Sequence, residues 1–230
     1  MPVDPRAEVV LGGRVLDAAG LSDVVWGHVS ARDPDGRGVW MKASGLGFDE
    51  VTEVSVLLVA PDGGVLAGDG PRHSEYPIHT EILSARPDAN SVVHVHPFHA
   101  MALAASGVEL QAFSHIGGVF AGGLRRYHDA PGLITTPEEG AALAAALGGD
   151  RALLMVGHGI VAAGASVGVA VTTAIMLERA CRLQWLAEGY GGVAAPFSAE
   201  DARRAYAHAL GDDYLLSAWR YLARRVEPRR

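Results

Sequence analysis

Residues 91–97 read Ser-Val-Val-His-Val-His-Pro, and the interpretation of the whole chain starts from this stretch. The β-branched valines favour an extended chain, and Pro97 ends the run, so we predict a short buried strand. Side chains of a strand alternate between its two faces, so His94 and His96 point the same way. Two neighbouring imidazoles fill a core poorly but offer two nitrogens to one cation. The spacing favours a metal site, with hydrogen-bonded core histidines as the alternative.

Two residues outside this stretch strengthen the metal interpretation. Glu75 lies upstream, and His158 follows the apolar run Leu153–Val156 between two glycines. Glycine lets one backbone segment approach another closely. We therefore expect His158 at the end of a buried strand, where it completes a three-histidine set.

Composition limits the class of protein. The chain has 230 residues, of which 49% are hydrophobic, and a formal net charge of −7. This length fits a single domain over residues 1–230. The negative charge argues against nucleic-acid or membrane-surface binding, which needs a basic field. The sequence has no signal-peptide pattern and no run of ~18 apolar residues, and Cys181 is its single cysteine. We therefore expect a cytoplasmic protein. Its partner is expected to be a small-molecule substrate.

The first third of the chain predicts an antiparallel sheet with one flanking helix. Residues 6–20 carry an amphipathic helical pattern that Gly20 ends. Residues 24–32 read as a strand, and a tight turn at 33–36 leads into a second strand at 39–42. Residues 56–68 read as a further hairpin.

From Ser74 the periodicity becomes mainly helical. Ser74 is a good N-cap for a helix that ends near 86–87, with Glu75 and His79 on one face. Further helices are predicted at 98–106, at 166–190 and in two pieces after 198. Another helix is predicted to start after Thr136, which begins a capping box. A buried strand is predicted at 153–156. The glycine-interrupted segment 112–131 has no clear pattern.

Five motifs, in this order, resemble the class II aldolase/adducin family, which includes sugar-phosphate aldolases and epimerases. They are Gly-x-Val-Ser-x-Arg at 27–32, Ala-Ser-Gly at 43–45, Ser-Glu-x-x-x-His at 74–79, His-x-His-Pro at 94–97 and His-Gly at 158–159. The match covers roughly residues 5–190. The resemblance implies an α/β fold of the α+β type, with a central, mainly antiparallel sheet flanked by helices in three layers. It also implies a homotetramer with each active site at a subunit interface.

The resemblance assigns roles to particular residues. It implies one divalent metal ion per subunit, zinc, manganese, iron or cobalt, on His94, His96 and His158. Glu75 is then a fourth ligand or the acid/base, and His79 orients a ligand from behind rather than binding the metal. The substrate pocket falls on the motif residues His28, Lys42, Ser44, Gly45, His73 and Ser74.

The chain departs from the aldolase pattern in this pocket. The aldolase phosphate pocket resembles Gly-Asn-x-Ser, Thr-x-Ser-Gly and Ser-Ser-Glu, whereas here His28, Lys42 and His73 replace short neutral donors. Such groups suit a carboxylate on a flat ring at least as well as a sugar phosphate, although Lys42 is alternatively a solvated strand residue.

The proton donor of the aldolases also has no counterpart. The tyrosine that aldolases supply from the neighbouring subunit should fall within 112–116, where none occurs. His115 is the catalytic candidate for this far side of the site. Arg125 and Tyr127 are further candidates, and a structural role is the alternative for all three.

These departures favour the family's metal-dependent decarboxylases of hydroxylated aromatic or pyridine carboxylates. In that interpretation, Glu75 or a nearby histidine protonates the ring after CO2 leaves. An aldolase or epimerase acting on a sugar phosphate is the first alternative, and a metal-free, adducin-like interaction module is the second. An open, aromatic-lined slot would favour the ring substrate, whereas an anion near Ser44 and Ser74 would favour the sugar phosphate.

Overall fold

The computed structural model describes residues 4–129, 132–193 and 197–226, so the ends of the predicted 1–230 domain lie outside the described residues. Eight strands form one sheet: β1 (His28–Arg32), β2 (Val39–Lys42), β3 (Val56–Val59), β4 (Val65–Ala67), β5 (Ser91–Val95), β6 (Arg125–Tyr127), β7 (Ala152–Met155) and β8 (Gly159–Gly164). Their order is β4-β3-β2-β1-β5-β8-β7-β6. All neighbours are antiparallel except β6 and β7, which confirms the mainly antiparallel sheet.

Helices cover both faces of the sheet. They are α1 (Pro5–Ala18), α2 (Tyr76–Ala85), α3 (Phe98–Ser106), α4 (His115–Gly118), α5 (Pro137–Leu147), α6 (Val167–Glu188), α7 (Ala199–Ala205) and α8 (Asp212–Val226). One core, the α1/α6 core, packs α1, α3 and α6 against Val93 and Val95 of the sheet. The other, the α2/α5 core, packs α2 and α5 against Val92 and Val161. The result is the three-layer arrangement predicted for this fold. Among the described residues, no helix is long and apolar enough to cross a membrane.

Side-chain capping follows the sequence signals at the starts of α5 and α6 but not at the start of α2. Thr136 and Glu139 form the predicted capping box at the start of α5, and Ser166 caps α6. The prediction that Ser74 caps α2 was wrong, because the helix begins one residue later and Glu75 occupies the N-cap position. The Glu75 side chain makes no capping hydrogen bond, so its carboxylate is free to point elsewhere.

The strand predicted at 24–32 begins only at His28. The preceding residues form a tight turn in which the Trp26 N–H donates to the Asp23 carbonyl at 2.8 Å. Val24 in this turn has a φ of 50°, a left-handed conformation that is rare for a β-branched residue. The high β-propensity of Val24 and Val25 therefore yields to a turn held by tertiary contacts.

Strand β8 was not predicted. Its sequence, Gly-Ile-Val-Ala-Ala-Gly, contains mainly residues with low strand propensity. It forms nevertheless, because it pairs with both β5 and β7 in the centre of the sheet. As a consequence, His158 lies in the turn between β7 and β8 rather than at the end of a strand.

Candidate metal centre

The centre is built on the middle of the sheet. His28 of β1 and His94 of β5 are directly paired residues of neighbouring strands, so their side chains leave the same face. Val92, two residues before His94, packs into the α2/α5 core, which identifies this as the face covered by α2 and α5. His96 follows the end of β5 and points in the same direction as His94, as the spacing predicts.

The imidazoles of His94 and His96 converge through their Nε2 atoms, which lie 3.1 Å apart. The other ring nitrogens are occupied: Nδ1 of His94 lies 3.0 Å from the Ile160 carbonyl, and Nδ1 of His96 lies 2.9 Å from the Asp23 carboxylate. Both partners are acceptors, so each Nδ1 carries the hydrogen and each Nε2 presents a lone pair. Two nitrogens bound tetrahedrally to zinc lie roughly 3.3 Å apart, close to this spacing.

His158 completes the set from the turn between β7 and β8. Gly157 takes a φ of 77° in this turn. A Cβ on Gly159 would lie 2.6 Å from the Val95 carbonyl oxygen and 2.7 Å from Cδ2 of His96, so only glycine lets the turn approach β5 this closely. Both ring nitrogens of His158 are buried and have no hydrogen-bond partner within the described part of the chain.

The three histidines have the properties of a divalent-metal site. Their ligand atoms lie within 4.8 Å of one another. Burial, followed by the neighbouring His96 and His158, lowers the pKa of His94, and burial lowers the pKa of His158 to about 4. Neutral imidazoles keep the lone pairs that a metal needs, and a bound cation would satisfy one of the two unpartnered nitrogens of His158. The donor set suits zinc, manganese, iron or cobalt.

Glu75 lies beside these histidines at the N-terminus of α2. Its Oε1 accepts a hydrogen bond from the Ile134 N–H at 3.0 Å and lies 3.4 Å from Nε2 of His158. Its Oε2 lies 3.8 Å from Nε2 of both His94 and His28. Burial raises the pKa of Glu75, and the Ile134 hydrogen bond only partly opposes this effect. The position suits a group that holds and transfers a proton.

A cleft of about 400 Å³ opens onto this centre. Asp23, Glu75, His96 and His158 line the polar part of it, and the side chains of Trp26, Met101 and Leu133 line the apolar part. Trp26 is 58% exposed, although it is one of the largest apolar side chains in the chain. Trp26 and Asp23 were not among the predicted site residues. A tryptophan directly before the Gly27-His28 motif was the available signal for Trp26, whereas nothing in the sequence pairs Asp23 with His96.

Most of the predicted pocket residues lie together. The Ser44 N–H donates to the Pro71 carbonyl at 2.7 Å, which places the Ser44–Gly45 loop beside the loop that carries His73 and Ser74. Gly45 and Ser74 are exposed. His73 is buried with its ring centre 4.6 Å from that of His28, and its Nε2 has no partner among the described residues. Burial lowers the pKa of His73 to about 3.

His79 lies behind His28 rather than behind a predicted metal ligand. Its Nε2 lies 2.6 Å from Nδ1 of His28, and its Nδ1 lies 2.6 Å from the Ser30 hydroxyl. Burial lowers the pKa of His79 to about 3, and the pKa of His28 is also lowered, mainly by burial. Both rings are therefore neutral at pH 7. The expected orienting role fits His79, but the residue that it orients is His28.

The placement of Lys42 contradicts its predicted role in substrate binding. Met41 packs into the α2/α5 core, so the next side chain points to the opposite face of the sheet from His28 and His94. There its ammonium donates to the carbonyls of Val25 at 2.9 Å and Leu46 at 2.7 Å. Lys42 is 1% exposed, so the alternative of a solvated strand residue is also wrong. It holds the turn before β1 in place.

The far-side candidates do not reach the histidines of their own chain. His115 is exposed on α4, which packs against α6 on the opposite face of the sheet. Arg125 pairs with Asp150 at 3.0 Å, and Tyr127 is buried in the α2/α5 core. Only in a neighbouring copy of the chain could His115 serve this site.

Comparison with known proteins agrees with the geometry. The model of the Class II Aldolase and Adducin N-terminal domain matches residues 7–185. The chain is 36% identical over 203 residues to a 3,4-dihydroxyphthalate decarboxylase of Terrabacter sp. (strain DBF63), covering 82% of this chain and 83% of the relative. It is 31% identical over 235 residues to a 3,4-dihydroxyphthalate decarboxylase of Arthrobacter keyseri, covering 96% and 93%.

A solved structure gives the same result. An aldolase II superfamily protein from Pseudomonas syringae superimposes with a TM-score of 0.85 at 26% identity, covering 98% of this chain and 95% of the other. The similarity therefore extends over both the sheet and the helices on its two faces. Sequence match, fold and histidine geometry agree: the chain belongs to the class II aldolase/adducin family.

Proposed function

We propose that the protein is a metal-dependent carbon–carbon lyase that decarboxylates a hydroxylated aromatic carboxylate. The observation that carries this proposal is the exposed Trp26 ring in the cleft that also holds Glu75, His96 and His158. An aromatic wall beside a metal-ligand set suits a flat ring that places oxygens toward the histidines. The similarity to two 3,4-dihydroxyphthalate decarboxylases supports the same substrate class.

A divalent cation on His94, His96 and His158 would supply positive charge for the substrate's hydroxyl and carboxylate oxygens. Asp23 keeps His96 oriented, and Trp26 and Leu133 exclude water from the ring faces. When the bond from the ring to the carboxyl carbon breaks, its electron pair stays on the ring and CO2 leaves. Glu75, whose pKa is raised by burial, donates the proton that replaces the carboxyl group and is reprotonated from the open cleft.

An aldolase or epimerase acting on a sugar phosphate is the second candidate. The observation in its favour is the adjacency of the Ser44–Gly45 and His73–Ser74 loops, which offer hydroxyl and backbone donors. Such donors bind a phosphate. The bulky His73 and His28 beside them leave less room for that group, which is why we rank this candidate lower.

We further propose that the chain forms a homotetramer whose active sites lie at subunit interfaces. Large exposed apolar side chains support association, since Phe98 is 80% exposed, Trp185 63% and Tyr190 92%. A neighbouring copy could then bring His115 to the cleft. Light scattering on the eluted protein tests the assembly, and a monomer at micromolar concentration would contradict it.

Metal analysis of the purified protein, followed by a CO2-release assay on the same sample, tests the reaction. The panel contains 3,4-dihydroxyphthalate, other ortho-hydroxy aromatic carboxylates and a sugar phosphate such as fuculose 1-phosphate. We expect about one metal per chain and CO2 from at least one aromatic acid. Metal with aldehyde release from the sugar phosphate would support the second candidate instead. Absence of bound metal after loading with zinc would contradict both.

A further inference from the structure

Three buried polar side chains form a hydrogen-bonded chain behind Glu75. The Ser30 hydroxyl lies 2.6 Å from Nδ1 of His79, and Nε2 of His79 lies 2.6 Å from Nδ1 of His28. Ser30 and His79 are 0% exposed and His28 is 1% exposed. The remaining nitrogen, Nε2 of His28, faces Oε2 of Glu75 across 3.8 Å. None of the reaction steps above uses Ser30 or His79.

The donor and acceptor in each of these hydrogen bonds can be assigned by starting from Ser30, at the end of the hydrogen-bonded series. Within the described residues, His79 is the single hydrogen-bond partner of the Ser30 hydroxyl. If Nδ1 of His79 donated to Ser30, the hydroxyl hydrogen would be buried without an acceptor, which costs about 1–3 kcal/mol. Ser30 therefore donates to Nδ1 of His79. A neutral imidazole has one donor and one acceptor nitrogen, so Nε2 of His79 then donates to Nδ1 of His28.

We propose that Ser30 and His79 hold His28 in the tautomer with its hydrogen on Nε2, so that His28 presents an N–H toward Glu75 and is not a metal ligand. Ser30, His79 and His28 are positioning residues in this arrangement. The Ile134 N–H donates to Oε1 of Glu75 at 3.0 Å, and the His28 N–H faces Oε2 across 3.8 Å, beyond direct hydrogen-bond distance. The role of Glu75 rests on the proposed function, whereas the tautomer of His28 does not.

The tautomer of His28 determines which of two overlapping sets of side chains can bind the metal. Besides His94, His96 and His158, the side chains of His28, Glu75 and His94 also bring three ligand atoms within 4.8 Å. A nitrogen that carries a hydrogen has no lone pair for a metal. The hydrogen on Nε2 therefore excludes His28, and a cation must bind on the side of His96 and His158.

Nitrogen NMR of the zinc-loaded protein labelled with 15N-histidine tests the tautomer directly. Long-range proton–nitrogen correlations distinguish a protonated ring nitrogen from a bare one, and the His28→Gln and His79→Gln variants assign the signals. We expect both rings to carry the hydrogen on Nε2. A hydrogen on Nδ1 of His28, or the shift of a zinc-bound Nε2, would overturn the proposal.

Matched serine variants test the cause of the tautomer. Ser30→Ala removes the terminal donor, so His28 should show both tautomers, and kcat on the best substrate should fall about tenfold with KM nearly unchanged. Ser91→Ala is the control, because this buried hydroxyl donates to the Ser30 backbone carbonyl at 2.7 Å and takes no part in the chain. An unchanged His28 tautomer in Ser30→Ala would contradict the assigned direction.

Metal content separates this proposal from the proposed function. His28→Gln keeps an N–H donor and His28→Leu removes it, and both variants should retain about one zinc per chain. Zinc lost from both variants, with His94 and His96 intact, would identify His28 as a ligand and overturn the inference. If no aromatic acid releases CO2 in the wild-type protein, the proposed reaction fails while the NMR and zinc results still decide this point.

Discussion

The carboxylate of Asp23 lies 2.9 Å from Nδ1 of His96 and thereby fixes which nitrogen of that ring faces His94. A carboxylate behind a histidine ligand orients the ring and raises its basicity. Asp23→Ala should therefore weaken zinc binding roughly 10–100-fold while the fold remains intact. Competition with a chromophoric chelator measures the affinity, and Asp69→Ala, the same change at an exposed aspartate, is the control. Equal affinities in the two variants would contradict the orienting role.

Glu75→Gln should separate metal binding from chemistry. The amide preserves the size of the side chain but cannot transfer a proton, so turnover should fall roughly 10²–10⁴-fold with most of the metal retained.

His158→Ala should lose metal and activity together, because it removes a predicted ligand. Metal analysis and CO2 release on the same preparations provide the comparison. Full turnover in Glu75→Gln would rule out its role as the proton donor.

Trp26→Ala should weaken binding of aromatic substrates. Loss of the ring wall should raise KM about tenfold, with a smaller effect on kcat, whereas Trp26→Phe should retain most of the affinity. Tyr221→Ala removes an aromatic side chain of similar exposure (54%) outside the metal cleft and serves as the control. The result that would count against the aromatic pocket is an unchanged KM in Trp26→Ala.

Lys42 is the single lysine of the sequence, so its titration can be followed without overlap. Burial lowers the pKa of its ammonium from 10.5 to about 8. One Nζ resonance in protein labelled with 15N-lysine should titrate near that pH. A midpoint above pH 10 would contradict the buried placement.

The same shift predicts how stability depends on pH. The folded-state pKa lies below the unfolded value, so between pH 8 and 10.5 the unfolded chain binds more protons than the native protein. The Lys42 contribution therefore raises the free energy of unfolding across this window, by at most roughly 3 kcal/mol. Denaturant unfolding of wild type and Lys42→Met at several pH values measures the difference. Parallel curves for the two proteins would show that Lys42 has no such effect.

Local sequence predicted the elements whose signals are self-contained. The capping box at Thr136, the alternation in 91–97 and the amphipathic pattern of α1 each specify a structure within a single helix or strand. The tight turn before β1 and the strand β8 did not follow from propensity. In both cases, contacts with residues distant in sequence determine the conformation. The Lys42 ammonium donates a hydrogen bond to the Val25 carbonyl in the turn, and β8 pairs with β5 and β7.

By itself, the sequence determined that His94 and His96 share a face, because strand alternation is a local property, and the ordered motifs pointed to His158 and Glu75 through the family resemblance. Only the tertiary structure decided what surrounds them. Strand register placed His28 against His94, and the turn before β1 brought Asp23 to His96 and Trp26 to the cleft. The pleat turned Lys42 to the opposite face. Contacts between residues far apart in sequence depend on register and packing, which no short stretch of sequence specifies.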